Sequence, residues 1–188
     1  MNTPAHGILN LIVLDHSKGT KSLTLPIALG AILPEAPILL FWFVQKIVLS
    51  KPEALIWAIL HDRPAWQLSV DLLNSIPIVI VALLISAGMK HPWLTALFAS
   101  MGLHLLCDLP FHGKEALDHL LSFNHWQFEY CISYRESATG EAWYYFSEII
   151  FLLLGTIYLL RKKTTPTRIA AALFATTYTL SLLYAWTP

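Results

Sequence analysis

Long runs of apolar residues dominate the pattern of this chain. Four of them approach the roughly 20 residues that a helix needs to cross the hydrocarbon of a bilayer, and a fifth follows; they are 23–44, 72–89, 92–109, 142–160 and 169–186. Segments in lipid must be helical, because an unpaired backbone amide there costs several kcal/mol. The pattern predicts an all-α fold, a polytopic helical membrane bundle of about four or five transmembrane helices, with residues 1–188 as a single integral membrane domain.

Prolines interrupt the first of these runs at Pro26, Pro34 and Pro37. A proline inside a helix removes a backbone hydrogen bond and clashes with the preceding turn. We therefore expect two helical pieces, 23–33 and 37–48, on either side of Glu35.

A short N-terminal hairpin is also predicted. At 1.5 Å per residue, the apolar segments 5–14 and 24–33 are each about 15 Å long. If they fold back on each other at the loop that holds Lys18 and Lys21, Glu35 returns to the level of His6. The early histidine and the early carboxylate would then face the same region.

The distribution of basic residues predicts the orientation, because short cytoplasmic loops carry an excess of lysine and arginine. With the C-terminus non-cytoplasmic, the larger share falls inside: Lys18, Lys21, Lys90, Arg161, Lys162, Lys163 and Arg168. Those left outside are Lys46, Lys51, Arg63, Lys114 and Arg135. The polar segment 110–141 is then a non-cytoplasmic segment laid over one face of the bundle.

Composition supports membrane lipid as the surroundings. Hydrophobic residues make up 56% of the 188 residues and charged ones 13%, against roughly a quarter charged in ordinary globular domains. The formal net charge is zero, so no nucleic acid is expected as a partner. The two cysteines, Cys107 and Cys131, are too few for a zinc ribbon; they either pair in an oxidising compartment or stay as free thiols.

Four ionisable residues lie within the apolar segments: Glu35, His104, Asp108 and Glu148. Such residues are costly in a membrane and mark function by default. Positions i and i+4 share a helix face, so His104 and Asp108 can bind one ion together. His112 lies just past Pro110 and can fold back over that pair, and Glu115, Asp118, His119 and His125 follow.

Imidazole combined with carboxylate suits zinc, iron or manganese. Catalytic zinc keeps an open position for water and lowers the pKa of that water to about 7. Structural interpretations stay open beside this one. His104 can simply hydrogen-bond Asp108, His6 and Glu35 can serve as helix caps, and Glu148 can extend to the membrane interface.

Three short motifs in order along the chain resemble a known family. They are Thr3-Pro-Ala-His6-Gly7, then Leu29-Gly-Ala-Ile-Leu-Pro-Glu35, then His104-x3-Asp108, with Trp126-Gln-Phe and Ile132-Ser-Tyr134 downstream. Together they resemble the YdjM-like predicted membrane-bound metal-dependent hydrolases, closest to a bacterial subgroup that includes cyanobacterial proteins. The resemblance implies metal ligands at His6, Glu35, His104 and Asp108, and a location in the bacterial inner membrane.

The chain departs from that family at three places. Glu35 stands where the family usually has aspartate after Leu-Pro. The family commonly has a His-Ser pair near the start of the next segment, where this chain has Asn74-Ser75. The closer subgroup is expected to have an acidic-Ala-His triplet after His112, where this chain has Glu115-Ala-Leu117. Two missing histidines would weaken the metal site, change its metal or abolish catalysis.

The sequence thus leads to one main hypothesis and two alternatives. The main one is a divalent-metal-dependent hydrolase, with zinc favoured over iron or manganese, acting on a lipid-associated ester or phosphoester. Its expected metal ligands are His6, Glu35, His104, Asp108 and His112. Glu115 or His119 would serve as general base or acid. The alternatives are a non-catalytic assembly or accessory protein and a metal-handling protein.

Overall fold

The computed structural model describes residues 1–16, 22–57, 64–109 and 138–185. Every regular element in these ranges is a helix, so the described part of the chain is all-α. The helices are α1 (Thr3–Leu14), α2 (Thr24–Ile32), α3 (Ala36–Phe43), α4 (Glu53–Leu55), α5 (Pro64–Leu73), α6 (Ile76–Gly88), α7 (Pro92–Asp108), α8 (Ala138–Lys162) and α9 (Thr165–Ala185). A π-helical turn, Val44–Val48, continues α3.

Helices α1 and α2 form an antiparallel pair, which is the predicted hairpin. At one end Thr3 hydrogen-bonds the carboxylate of Glu35, and at the other Thr24 donates its hydroxyl to Asp15 Oδ2 at 3.0 Å. Thr167 at the start of α9 hydrogen-bonds the same carboxylate oxygen at 2.5 Å. Lys18 and Lys21, the proposed turn, lie outside the described residues.

The α2–α3 break lies where the prolines predict it. The two helices are bent by 66°, and Pro37 occupies the first turn of α3, where its missing N–H needs no partner. Glu35 is the residue before α3 begins. The bend therefore places its carboxylate at the end of the α1–α2 pair.

The single helix predicted from 72 to 89 is wrong at its start. Helix α5 ends at Leu73, α6 begins at Ile76, and the two are bent by 50°. Ser75 is extended and Pro77 lies in the first turn of α6. The amide of Asn74 donates to the carbonyl oxygens of Pro34 and Val70, each at 2.9 Å. This polar residue joins the two bends.

The lengths of the helices bear on membrane crossing. No single helix in the described part of the chain combines the length and the apolar character needed to cross a membrane. Each of the two bent pairs, α2 with α3 and α5 with α6, has enough of both when its members are taken together.

Helix α1 lies at the centre of the packing and contacts α2, α7, α8 and α9. Its residues Ala5, Ile8 and Leu11 are completely buried. Glycines allow this close approach: a Cβ at Gly7 would come within 2.4 Å of Phe174 in α9, and one at Gly155 in α8 within 2.5 Å of Ile8. The polar side chains of His6 and Asn10 in α1 are also completely buried, and so they lie in the interior of the bundle.

Candidate metal centre

Four of the side chains that the sequence singles out meet at one end of α1. His6 comes from α1, Glu35 from the α2–α3 break, and His104 and Asp108 from the last turns of α7. Each offers one ligand atom, and these four atoms lie within 4.8 Å of one another. His6, His104 and Asp108 are buried, while the side chain of Glu35 is 27% exposed.

The ring of His104 is oriented by a backbone carbonyl. Its Nδ1 lies 2.8 Å from the carbonyl oxygen of Ala31 in α2. A carbonyl only accepts, so Nδ1 carries the proton and donates it. In a neutral imidazole the other nitrogen then presents a lone pair. This backbone contact fixes the tautomer, as it does for histidines that ligate metals through their second nitrogen.

The free nitrogen of His104 faces two carboxylates. Nε2 lies 3.0 Å from Asp108 Oδ2 and 3.7 Å from Glu35 Oε1, yet this buried atom makes no hydrogen bond to any described residue. A lone pair facing carboxylate oxygens is repulsive unless the nitrogen takes up a proton or a metal ion binds both groups. The arrangement fits a metal ion bound by Nε2 and the carboxylates, because the ion would accept the lone pair and attract the carboxylate oxygens.

His6 completes the group from the other side. Its ring stacks on that of His104, with centroids 3.8 Å apart and an interplanar angle of 17°. Nε2 of His6 hydrogen-bonds Asp108 Oδ1 at 2.8 Å. The other ring nitrogen, Nδ1, is buried and has no partner among the described residues. Each imidazole therefore keeps one buried nitrogen without a hydrogen bond.

Both carboxylates are held in place by further contacts. The amino nitrogen of Met1 lies 3.0 Å from Asp108 Oδ1, so each oxygen of Asp108 has a nitrogen close to it. The hydroxyl of Thr3 donates to Glu35 Oε2. That contact leaves Glu35 Oε1 as the oxygen that faces His104.

A buried polar network locks the three helices that carry the ligands. Asn10 of α1 donates its amide to both the carbonyl and the hydroxyl oxygen of Ser100 in α7, each at 2.8 Å. The hydroxyl of Ser100 donates to the carbonyl of Ile27 in α2 at 2.6 Å. His104 and Ala31 lie one turn after Ser100 and Ile27, and His6 lies one turn before Asn10 in the antiparallel α1, so this network sets their spacing.

Glu148 fixes the start of α1. Its carboxylate accepts the backbone N–H and the side-chain amide of Asn2, at 2.7 and 2.6 Å, and the hydroxyl of Tyr178 at 2.9 Å. The residue is only 4% exposed, so the expectation that it extends to the membrane interface is wrong. Three donors satisfy it inside the bundle, next to the turn that carries Thr3 and His6.

The structure thus brings together four of the five predicted ligands. The fifth, His112, lies outside the described residues, as do Glu115 and His119, the predicted acid and base, and Cys131. Sequence reasoning missed Thr3, the Ala31 carbonyl and the Asn2–Glu148 pair. A threonine three residues before His6 was visible as part of a motif, whereas a backbone carbonyl acceptor has no signature in the sequence.

The buried group of His6, Glu35, His104 and Asp108 could hold a metal ion. Two imidazoles and two carboxylates form a donor set that suits zinc, iron and manganese better than calcium or magnesium. Comparisons with protein-family models, with curated proteins and with solved structures found no match to this chain.

Proposed function

We propose that this protein is a membrane-embedded, divalent-metal-dependent hydrolase. The observation that carries the proposal is the orientation of His104, whose Nδ1 is bound to the Ala31 carbonyl while its buried Nε2 points at Asp108 and Glu35 without a hydrogen bond. Metal-binding histidines have this geometry. The motifs around His6, Glu35 and His104 also resemble the YdjM-like predicted hydrolases.

The surface of the helices supports a membrane setting. Large apolar side chains are exposed along the outer helices, among them Leu84 of α6 at 66%, Leu154 of α8 at 60% and Leu173 of α9 at 64%. Water would make such a surface an aggregation liability. Lipid would solvate it, and the two bent helix pairs have the length and composition to cross a bilayer.

The residues of the site have two roles: some would bind the ion, and others orient these ligands. His6, Glu35, His104 and Asp108 would hold the ion, with zinc favoured and iron or manganese as alternatives. When bound, the ion would supply Lewis-acid activation of water and of the substrate oxygen. The Ala31 carbonyl orients His104, and Thr3 orients Glu35. Glu35, the most exposed member of the group, marks the side from which a substrate would enter.

Glu115 and His119 remain our candidates for general base and acid, since proton transfer needs such a group within hydrogen-bond reach of the attacking water. The proposed substrate is a lipid or a lipid-linked ester or phosphoester. A site that opens at the end of a lipid-solvated bundle meets such molecules first. No serine or cysteine nucleophile is required by this scheme.

One observation favours a second candidate, a membrane protein whose buried polar groups only join helices. Asn74 stands where the family resemblance leads us to expect histidine, and both of its amide hydrogen bonds go to backbone carbonyls. In the group around His104, the corresponding structural contact would be an ion pair between a protonated His104 and Asp108. In that case the four polar residues would bind no metal.

The experiment is elemental mass spectrometry of the detergent-purified protein, comparing wild type with His104→Gln and Asp108→Asn. His91→Asn is the matched control, because His91 is the N-cap of the same helix and its side chain accepts the N–H of Leu94, a role that asparagine also fills. Circular dichroism and gel filtration verify that each variant is folded.

We expect near-stoichiometric zinc, iron or manganese in wild type and His91→Asn, and little in the two ligand variants. Metal-loaded protein should then hydrolyse a lipid ester or phosphodiester, and chelation should stop the reaction. Folded wild type that takes up none of the three metals would overturn the proposal in favour of the second candidate. Metal uptake without hydrolysis across both substrate classes would leave a metal-handling protein.

A further inference from the structure

Two cavities lie next to each other along α7. The larger, of about 500 Å³, is at the α6–α7 turn and is lined by Lys90, Ala96 and Ala99, among others. The second, of about 280 Å³, continues between α6 and α7 past Gly102 to Leu106. Leu14 and Ala99 line both cavities, so the two are adjacent, and together they are here called the α6–α7 groove.

Among the residues that the structure describes, one charged residue lines the groove, at one end. It is Lys90, and the second cavity is lined by apolar side chains and glycine. None of the described carboxylates forms an ion pair with Lys90. A ligand that matches this surface has one anionic group joined to a hydrocarbon tail.

The backbone of Lys90 gives an independent reason to assign it a role. Helix α6 ends in a Schellman motif, in which His91 N bonds Ser86 O at 3.0 Å and Lys90 N bonds Ala87 O at 2.9 Å. The residue at the position of Lys90 is left-handed, with φ of 53°, and glycine is its usual occupant. A lysine kept in a conformation that favours glycine points to a function for its side chain.

The dimensions fit one lipid chain. From Pro92 to Leu106 the axis of α7 rises by about 21 Å, and the hydrocarbon of one leaflet is about 15 Å deep, half of the bilayer core. An apolar cavity of about 150 Å³ holds benzene, so the second cavity alone has room for roughly ten carbons. Gly102 leaves this space open, since a Cβ there would touch only Val79, at 3.7 Å.

We propose that the α6–α7 groove binds an anionic phospholipid, with its phosphate at Lys90 and one acyl chain running along α7 past Gly102. Its charged end, at Lys90, lies at the end of α7 opposite to His104 and Asp108. It uses only the membrane setting of the proposed function and none of its chemistry. Clustered or pocket-lining basic residues at a membrane face are a common means of recognising anionic lipid.

The test is thermal unfolding of the purified full chain in detergent, with added dioleoyl phosphatidylglycerol or dioleoyl phosphatidylcholine, and native mass spectrometry to count retained lipids. The key variant is Lys90→Gly, which removes the charge and also suits the left-handed backbone. Lys51→Gln removes an exposed lysine elsewhere. Gly102→Leu fills the groove, and Gly88→Leu, where a Cβ would meet nothing within 4 Å, is its control.

We expect phosphatidylglycerol to raise the Tm of wild type more than phosphatidylcholine does. Lys90→Gly should raise the Tm without lipid, yet bind phosphatidylglycerol at least about tenfold more weakly, a loss of about 1.4 kcal/mol. Gly102→Leu should lose binding of both lipids, and both controls should behave as wild type. Equal stabilisation by the two lipids, or an unchanged preference in Lys90→Gly, would overturn the proposal. So would a dimer that Gly102→Leu disrupts in the absence of lipid, because the groove would then bind a second copy of the chain.

Discussion

Gly30 of α2 packs directly against the backbone of Leu97 in α7, so closely that a Cβ on Gly30 would come within 2.3 Å of the Leu97 carbonyl oxygen. The same Cβ would lie 2.7 Å from that of Ser100. Backbone cannot move aside as a flexible side chain can, so only glycine permits this approach. Ala31, the next residue, orients His104, and the metal centre therefore depends on a contact that involves none of its ligands.

Gly30→Ala is expected to force α2 away from α7. We predict destabilisation of about 1–3 kcal/mol, as for overpacked cores, and metal affinity at least about tenfold lower, because the Ala31 carbonyl moves from His104 Nδ1. Gly102→Ala is the matched control, since the same change there meets only Val79 at 3.7 Å. Unfolding curves and metal titration measure the two effects. Equal metal affinity in both variants would show that the α2–α7 contact does not affect metal binding.

Glu148→Ala should weaken metal binding although Glu148 is not a ligand. Removing its carboxylate leaves the donors of Asn2 and Tyr178 unpaired, at a cost of about 1–3 kcal/mol for a buried group, and frees the start of α1 that carries His6. Thr167→Val is the control, because Thr167 ties α1 at its other end through Asp15. Cobalt-substituted protein gives the readout: its visible spectrum should change in Glu148→Ala and remain unchanged in Thr167→Val.

Asn74→Ala should destabilise the protein without removing the metal. The substitution leaves the Pro34 carbonyl at the α2–α3 bend without the donor it has now, which costs about 1–3 kcal/mol for a buried group. Unfolding in increasing denaturant, with metal content measured on the folded fraction, tests this. Loss of metal in a folded Asn74→Ala protein would mean that the bend itself positions Glu35.

Chelation should lower the stability of the wild type by an amount that the metal concentration sets. A ligand present at 100 times its Kd stabilises a fold by about 2.7 kcal/mol. Removing the metal should therefore lower the Tm of wild type, whereas the Tm of His104→Gln should not change. An equal effect of chelator on both proteins would show that the ion binds elsewhere.

The hydrogen bonds and the ion pair of Glu53 predict that the stability of the protein depends on pH through a group outside the metal centre. Tyr184 at the end of α9 donates to its Oε2 at 3.0 Å, and Trp42 and Lys46 approach the same carboxylate at 3.4 Å. The Tyr184 hydroxyl first, then the other donors, lower the pKa of Glu53 from its ordinary value of 4.5. The carboxylate is thus deprotonated more readily in the folded than in the unfolded chain.

The stabilisation from Glu53 is therefore fully present above pH 4.5 and is lost as the pH falls through the lowered pKa. We expect the Tm of Glu53→Gln to lie slightly below that of wild type at pH 7, with the gap closing at more acidic pH. Melting curves from pH 7 downward measure the gap. A gap that persists after the carboxylate is protonated would assign the effect to packing instead.

Most residues of the candidate metal centre could be predicted from the sequence because ionisable residues are rare in apolar segments. A histidine, an aspartate and a glutamate within apolar segments stand out because burying them is expensive, and the i, i+4 spacing of His104 and Asp108 put both on one face. The hairpin of 5–14 with 24–33 followed from equal lengths. These local rules were enough to bring Glu35 and His6 to the same level.

Contacts made by the backbone could not be predicted from the sequence. Any residue can offer the carbonyl that Ala31 gives to His104, so no side-chain pattern marks it. The break at Asn74 was missed for another reason: the apolar composition continues through Ile76, and only Pro77 and an asparagine signalled it. Glu148 was misplaced because its partner Asn2 is 146 residues away, too distant for any local pattern.

The metal centre also has a consequence for the order of biosynthesis. His6 is 102 residues from Asp108, and at roughly 5–20 residues per second a ribosome needs about 5–20 s to travel from one to the other. For most of that interval α1 and α2 have been made but α7 has not, and Ala31 has no imidazole to orient. Before α7 has been made, the chain offers only His6 and Glu35 of the four residues, so the complete group exists only after more than half of the protein has been made.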